Sequence, residues 1–187
     1  MARLKDKIVL ITGAAGAIGA AAAKVIAGEG GVAVTSDIAA QMMPHALDVT
    51  SEADWLRVVA DIEREHGRLD GLLNAAGIAA LGTVEDTDYA TWKKIMAVNL
   101  DGTFLGCKHA IPVMLGQGGG TIVNTASVAG LFGGPGMPAY VASKHGVVAV
   151  SEVLFHELRA EVVVSEEAAG VLVDEDARAD LGIFEHA

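Results

Sequence analysis

Several residue types that mark particular classes of protein are scarce in this sequence. A single cysteine, Cys107, among 187 residues cannot form an internal disulfide. It fits a reducing compartment, and its simplest interpretation is a small buried hydrophobe. Aromatic residues make up 4% of the chain although 52% of it is hydrophobic, so the core must consist mainly of Ala, Val, Ile and Leu. That composition suits a parallel sheet covered by helices.

Positive charge and long apolar runs are scarce as well. The chain has 13 Lys and Arg against 24 Asp and Glu, and the formal net charge of −11 argues against nucleic acid or an anionic membrane as a partner. No apolar run reaches the ~20 residues of a membrane span, and Lys5, Asp6 and Lys7 interrupt the start where a secretory signal would be apolar. The histidines lack the spacing of metal ligands. We therefore expect a cytoplasmic protein without a metal site.

Apolar segments with strand and helix character alternate along the chain, which predicts βαβ units and a doubly wound parallel sheet of the α/β class. No linker rich in Pro or Ser divides the sequence, so residues 1–187 are expected to form a single domain. Strands are expected over 7–12, 32–36, 45–48, 69–74 and 121–125, and helices over 20–28, 52–66, 89–116 (one or two) and 140–160.

A glycine-rich segment, Thr12–Gly19, follows the first predicted strand and opens a helix, which is the context that a dinucleotide-binding loop requires. Gly13 permits a tight turn, Gly16 lets the backbone approach a pyrophosphate, and Gly19 allows close packing of helix and strand. The free N–H groups at the helix N-terminus would bind the phosphates. The spacing, Gly-x-x-Gly-x-x-Gly, differs from the Gly-x-Gly-x-x-Gly of standard dinucleotide folds.

Asp37 follows the second predicted strand, where a carboxylate can accept hydrogen bonds from both adenosine-ribose hydroxyls. A 2′-phosphate at ~4 Å would be repelled by up to ~4 kcal/mol per charge pair. Ala15, Thr35 and Ser36 offer no cation that would offset this repulsion. Asp37 therefore predicts NAD rather than NADP as the cofactor, with a helix cap or a solvated turn as the alternative interpretation.

Tyr140 and Lys144 lie four residues apart in a predicted helix and so share one of its faces. A free phenol has a pKa of about 10, and a nearby ammonium group favours its ionised form. Such a pair can exchange a proton with an alcohol or a carbonyl near neutral pH. Taken alone, the pair is also compatible with an ordinary helix surface.

Together these motifs resemble those of the short-chain dehydrogenases/reductases, in particular the NAD-preferring single-domain members, which have a Rossmann-type three-layer fold. The matching segments span residues 7 to 160 in the expected order. They are Thr12–Gly19, Asp37, Asp48-Val49, Asn74-Ala-Ala-Gly77, Asn99, Ser127, Tyr140 and Lys144.

The resemblance implies a catalytic role for four residues. Tyr140 would be the general acid/base, and Lys144 would promote its ionisation and bind the nicotinamide ribose. Ser127 would bind the substrate oxygen, and Asn99 would help hold a water that relays protons to the lysine. A strand-end turn for Ser127 and a helix kink or cap for Asn99 stay open as alternatives.

The resemblance also implies contacts with the cofactor. Ile18 would lie at the pyrophosphate through its backbone, Asp48 and Val49 would contact adenine, and Asn74 and Gly77 would border the cofactor ribose.

The implied activity is an NAD-dependent interconversion of a secondary alcohol and a ketone. The alternatives are a 3-oxoacyl-thioester reductase and a non-catalytic NAD-binding regulatory protein. A homotetramer assembled through helices near 103–116 and 145–160 is expected, with a small-molecule substrate as partner.

Two stretches are shorter than the resemblance implies. Between Asp37 and Asp48 no room remains for a crossover helix, and after residue 160 we expect neither a sixth strand nor a segment that covers the substrate. Residues 166–176 are instead expected to form a helix, and residues 181–186 a last strand. We therefore predict omitted segments within residues 38–45 and 160–166.

Overall fold

The computed structural model of the protein describes residues 2–39, 43–158, 162–168 and 171–172. Within these residues seven strands form one sheet in the order β3-β2-β1-β4-β5-β6-β7, in which β7 is antiparallel to β6 and every other neighbouring pair is parallel. The strands are β1 (Ile8–Ile11), β2 (Val32–Asp37), β3 (His45–Ala46), β4 (Gly71–Asn74), β5 (Gly120–Thr125), β6 (Val162–Ala168) and β7 (Val171–Leu172).

Helices cover both faces of the sheet, which confirms the doubly wound α/β prediction. The helices are α1 (Ala17–Gly28), α2 (Glu52–His66), α3 (Tyr89–Met96), α4 (Gly102–Gly116) and α5 (Pro138–Leu158). One core cluster joins α2 and α4 to the strands through Trp55, Ile62 and Met114, all fully buried. A smaller cluster places Ile26 of α1 against Ile11 on the opposite face.

The segment expected as one or two helices is a continuous helical run with a π-helical turn, Ala97–Asp101, between α3 and α4. Such a turn inserts an extra residue into the helix and is frequent at functional sites. Here it contains the fully buried Asn99. The N-terminus of α2 agrees with the prediction, because Ser51 Oγ accepts a hydrogen bond from the Asp54 amide at 3.2 Å.

The prediction that no sixth strand follows α5 is wrong. Residues 162–168 form β6, which pairs in parallel with β5 from Gly120↔Val162 to Thr125↔Glu167. The expected helix from residue 166 is therefore absent as far as residue 168. Residues 162–164 are three consecutive valines, β-branched residues that favour a strand, and Val162 and Val164 are 2% and 7% exposed against the core. Residues 173–187, and the last strand expected among them, lie outside the described residues.

The short connection after β2 does not require a helix. Only the last two residues of β2 pair with β3, Ser36 with His45 and Asp37 with Ala46, so the chain need not return along the whole strand. The predicted omissions within 38–45 and 160–166 fall partly on residues 40–42 and 160–161, outside the described residues, and stay a prediction.

The single cysteine is buried in α4, as expected for a small hydrophobe. Cys107 is 2% exposed, and burial raises the pKa of its thiol to about 11. The thiol is therefore protonated at neutral pH and is a poor nucleophile.

Candidate active site

The glycine loop lies between β1 and α1 and packs directly against the loop that follows β4. Gly13 has φ +63°, and a Cβ added there would lie 2.7 Å from the Cα of Ala76. A Cβ on Gly19 would lie 2.5 Å from the carbonyl oxygen of Gly13. Gly16 precedes α1, whose N-terminus has no side-chain cap. The loop therefore leaves the first N–H groups of α1 available to an anion.

Thr12 ties the ends of β1 and β4 together. Its hydroxyl oxygen accepts hydrogen bonds from the amides of Ala75 and Ala76 at 3.0 and 3.1 Å. Because both strands are parallel, their carboxyl ends meet at one edge of the sheet, where ligands bind in open α/β folds. The glycine loop and the 75–78 loop together form the walls of two cavities at this edge.

The first cavity has a volume of about 390 Å³ and brings together most of the predicted cofactor residues. The Asp37 carboxylate stands at its edge and accepts hydrogen bonds from the amides of Ala15 and Ala39 at 3.1 and 3.2 Å. The acid at the end of β2 is thus held directly beside the glycine loop. Predicted residues that line this cavity are Gly13, Gly16, Asp37, Asp48, Val49 and Gly77.

The start of α2 fixes Asp48 and Val49. Asp48 Oδ1 accepts hydrogen bonds from the Thr50 amide at 2.9 Å and the Thr50 hydroxyl at 2.7 Å. The carbonyl of Val49 accepts a hydrogen bond at 3.0 Å from the indole N–H of Trp55, which is fully buried. This anchor holds the segment rigidly against the core.

Lys94 is a lining residue that the sequence interpretation missed. It lies on α3 and borders the first cavity together with Val98 and Asp37. The spacing of Lys94 and Val98, four residues apart in a helix, places both on one face and is the signal that would have found it. It is the only cation among the described lining residues of this cavity, which also include Asp37 and Asp48.

The second cavity, of about 670 Å³, contains the predicted proton-transfer groups. Tyr140, Lys144 and Ser127 line it, together with Ile18 and Gly77. Lys144 carries the only charge among the described lining side chains. The remaining lining residues are small or apolar: Ala75, Ile78, Ala79, Thr125, Ala126 and Met137.

Lys144 is 5% exposed, and its ammonium group donates a hydrogen bond to the carbonyl of Thr125 at 2.6 Å. Its Nζ lies 5.6 Å from the ring centroid of Tyr140. Burial lowers the pKa of Lys144 to about 8, because removing an ammonium group from water disfavours its charged form.

Ser127 follows β5 and begins a single 3₁₀ turn, Val128–Gly130. Its hydroxyl oxygen accepts a hydrogen bond from the Ala129 amide at 3.1 Å. A Cβ on Gly130 would lie 2.7 Å from the carbonyl oxygen of Lys144, so this turn packs tightly against the backbone of α5. The close approach brings Ser127 to the cavity that Tyr140 and Lys144 line.

Asn99 and Asn74 are not among the cavity-lining residues. The Asn99 side chain donates to the carbonyl of Ile78 at 2.9 Å and to Ser143 Oγ at 3.0 Å, and accepts from the Ile78 amide at 2.8 Å. Asn74 is 4% exposed and donates to Asn124 Oδ1 at 2.9 Å. Its side chain is thus committed to the core, so any contact with a cofactor would involve its backbone.

The two cavities share the lining residues Ala75, Gly77 and Ile78 and therefore lie side by side, and together they are called the cleft. The cleft offers helix N–H groups for phosphate, a carboxylate for hydroxyls, and a phenol, a hydroxyl and an ammonium group for a reacting oxygen. Among the described residues, no group of three or more His, Cys, Asp and Glu side chains is placed to hold a metal ion. In the same residues no helix is both long and apolar enough to span a bilayer.

Comparison with known proteins adds independent observations. Residues 7–180 match the model of the family described as short chain dehydrogenase. The chain is 42% identical over 161 residues to 2-(S)-hydroxypropyl-CoM dehydrogenase 3 of Xanthobacter autotrophicus, covering 78% of this chain and 63% of the relative. It is 38% identical over 162 residues to cyclopentanol dehydrogenase of a Comamonas species, covering 79% and 65%. The chain therefore spans just under two thirds of the length of these curated relatives.

Solved structures agree with the fold. The chain superposes on a short chain dehydrogenase/reductase from Burkholderia phymatum, solved in complex with NAD, with a TM-score of 0.83. The two are 33% identical, and the match covers 90% of this chain and 66% of that structure.

Proposed function

The chain belongs to the short-chain dehydrogenase family, and on that premise we propose that it is an NAD-dependent oxidoreductase that interconverts a secondary alcohol and a ketone. One observation carries the proposal. Tyr140, Lys144 and Ser127 line a single cavity that adjoins the cavity of the glycine loop and Asp37. A protein that only binds the cofactor has no need for Tyr140, Lys144 and Ser127 together.

The cleft fits a dinucleotide by its shape and its donor groups. At Gly13 and Gly19 any side chain would collide with backbone atoms, so the loop is as thin as close approach to a pyrophosphate demands. Ile18 is 60% exposed beside this loop, where its backbone would face the phosphates. Asp48, Val49 and Gly77 would border the adenosine half.

Asp37 supports NAD over NADP. Its carboxylate would accept hydrogen bonds from the ribose hydroxyls, and a 2′-phosphate in the same place would be repelled by up to ~4 kcal/mol per charge pair. Lys94 lines the same cavity and would offset part of that repulsion. The NAD-bound state of the Burkholderia phymatum relative is consistent with this preference.

In the proposed reaction, bound NAD supplies the acceptor for the hydride of the alcohol carbon. Tyr140 takes the hydroxyl proton of the alcohol, and in the reverse direction it returns that proton to the ketone oxygen. The Ser127 hydroxyl donates to the developing charge on the substrate oxygen. Lys144, which donates a hydrogen bond to the Thr125 carbonyl, supplies a positive charge next to the Tyr140 ring. Asn99 is connected to the site by the hydrogen bonds of its side chain to Ile78 and Ser143.

The proposed substrate is small to medium in size, and cyclic or apolar. Ile78, Ala79 and Met137 form the apolar lining beside Tyr140. The similarity to cyclopentanol dehydrogenase supports a neutral cyclic alcohol.

Two alternatives from the sequence stay open. A 3-oxoacyl-thioester reductase would share the Tyr140 chemistry, and such relatives mostly use NADP, which Asp37 opposes. A non-catalytic NAD-binding regulatory protein would bind the cofactor without turnover.

A cytoplasmic homotetramer stays part of the proposal, and the partly exposed Phe104 of α4 and Phe155 of α5 offer apolar contacts for assembly.

The test is to assay NADH and NADPH oxidation by the purified chain against a panel of cyclic and linear ketones and 3-oxoacyl thioesters, with NADH binding measured in parallel. Faster turnover of a neutral ketone with NADH than with NADPH supports the proposal. A preference for 3-oxoacyl thioesters with NADPH favours the first alternative. NADH binding without turnover of any substrate favours the second.

A further inference from the structure

We propose that Ser143 is a positioning residue that ties the first turn of α5, and with it the backbone of Tyr140, to Asn99 and the 75–78 loop. This inference rests on the proposed function, in which Tyr140 moves the proton. Ser143 lines neither cavity, and its hydroxyl group bonds to the backbone carbonyl of Tyr140.

The connection is a continuous chain of hydrogen bonds. The Ser143 hydroxyl donates to the carbonyl of Tyr140 at 2.8 Å and accepts from Asn99 Nδ2 at 3.0 Å. The same Asn99 amide group donates to the carbonyl of Ile78 at 2.9 Å and accepts from the Ile78 amide at 2.8 Å. Ile78 and Tyr140 both line the second cavity, so the chain joins two of its walls.

These bonds use the full donor capacity of the Asn99 side chain. Its two N–H groups go to Ile78 and Ser143, and its oxygen accepts from Ile78. Asn99 and Ser143 are both fully buried, so neither has water as a replacement partner. Removal of the Ser143 hydroxyl would leave an Asn99 donor unsatisfied, which a buried site tolerates poorly.

The position of Tyr140 explains why such a tie matters. α5 begins at Pro138, so Tyr140 lies in the first turn, where the backbone lacks the full set of helical hydrogen bonds. Helix ends fray, and a shift of ~1 Å in a reacting group can cost ~10²-fold in rate. The Ser143 bond to the Tyr140 carbonyl anchors this turn to the π-helical turn that contains Asn99.

Ser151 on the same helix is a matched control. Its hydroxyl donates to the carbonyl of Val147 at 2.8 Å and accepts from Asn124 Nδ2 at 2.9 Å, so it repeats the bonding pattern of Ser143. Ser151 is also buried, at 4% exposure, but it lies two helical turns farther from Tyr140. A purely structural serine should behave as Ser151 does.

The experiment compares Ser143→Ala, Ser151→Ala and Ser143→Thr. Both alanine variants should lose similar amounts of thermal stability. Ser143→Ala alone should lose kcat, by about 10-fold or more, while KM for NADH changes by less than about 2-fold, because the cofactor cavity is untouched. Ser143→Thr, which restores a hydroxyl, should recover most of the lost kcat. Equal kcat in the two alanine variants would overturn the inference.

Hydrogen–deuterium exchange separates this inference from the proposed function, since it needs no turnover. Exchange in peptides that cover 138–145 and 76–79 should rise in Ser143→Ala and stay at the wild-type level in Ser151→Ala. If none of the ketones supports NADH oxidation by the wild type but the exchange differs as expected, the proposed function fails and the positioning role of Ser143 stands. Unchanged exchange in Ser143→Ala refutes the tie whatever the activity.

Discussion

Lys144 should make the folded protein less stable at neutral pH, and Lys144→Met should remove that cost. Burial lowers the pKa of this ammonium group from 10.5 to about 8, and each pKa unit corresponds to about 1.4 kcal/mol. The unfolded chain therefore holds the proton of Lys144 more tightly, and the folded state is penalised wherever that proton is bound. The penalty is largest below the folded pKa and decreases as pH rises from about 8 toward 10.5.

The linkage relation gives about 3 kcal/mol of penalty at pH 7 and about 1 kcal/mol at pH 9.5. Lys144→Met also removes the hydrogen bond to the Thr125 carbonyl, a loss that is the same at both pH values to first order. The free energy of unfolding of the variant minus that of the wild type should therefore fall by about 2 kcal/mol between pH 7 and 9.5.

Urea unfolding at the two pH values measures this difference. Subtracting the wild-type free energy of unfolding from that of the variant at each pH cancels the contributions of most other titrating groups. Lys24→Met, a substitution of an exposed lysine on α1, is the control and should change stability by less than about 0.5 kcal/mol at either pH. A difference for Lys144→Met that does not change with pH would show that Lys144 is not desolvated in the folded protein. Turnover of this variant should be lost, as expected where a functional group is kept at a cost in stability.

Two further substitutions test the cofactor side and the geometry of the site. Asp37→Ala should weaken NADH binding and narrow the preference for NADH over NADPH. Lys94→Met should widen that preference, because it removes the cation of the same cavity. Isothermal titration with both cofactors measures the two affinities, and a wild type that binds NADPH better than NADH would contradict this prediction. Gly130→Ala should lower kcat by about 10-fold or more and also lower Tm, because its Cβ would lie 2.7 Å from the Lys144 carbonyl oxygen. Gly133→Ala on the same loop has no atom within 4 Å of the added Cβ and should change neither, so equal effects of the two would refute the close-packing argument.

The sequence was sufficient to predict those parts of the fold that local chemistry determines. The strand-turn-helix context around Gly13 needs only neighbouring residues, and α2 begins after Ser51 because a serine caps it. Asp37 lies beside the glycine loop because the strand that it ends pairs with β1. For the glycine loop and for the start of α2, the deciding interaction lies within a few residues along the chain.

Features decided by distant contacts were not predicted. The segment 162–168 is a strand because it pairs with β5, and its own sequence did not indicate that partner. The direction of the Asn74 side chain is set by Asn124, 50 residues away. The proposed role of Ser143 depends on Asn99, which lies 44 residues away in the π-helical turn.

The central claim is that Tyr140 transfers the proton in an NADH-dependent reduction, and Tyr140→Phe tests it most directly. The variant keeps the ring and loses only the hydroxyl, so NADH affinity and Tm should stay close to those of the wild type. With the best ketone of the panel, kcat should fall by ~10²-fold or more. Near-normal turnover in Tyr140→Phe, with intact folding and NADH binding, would contradict the account.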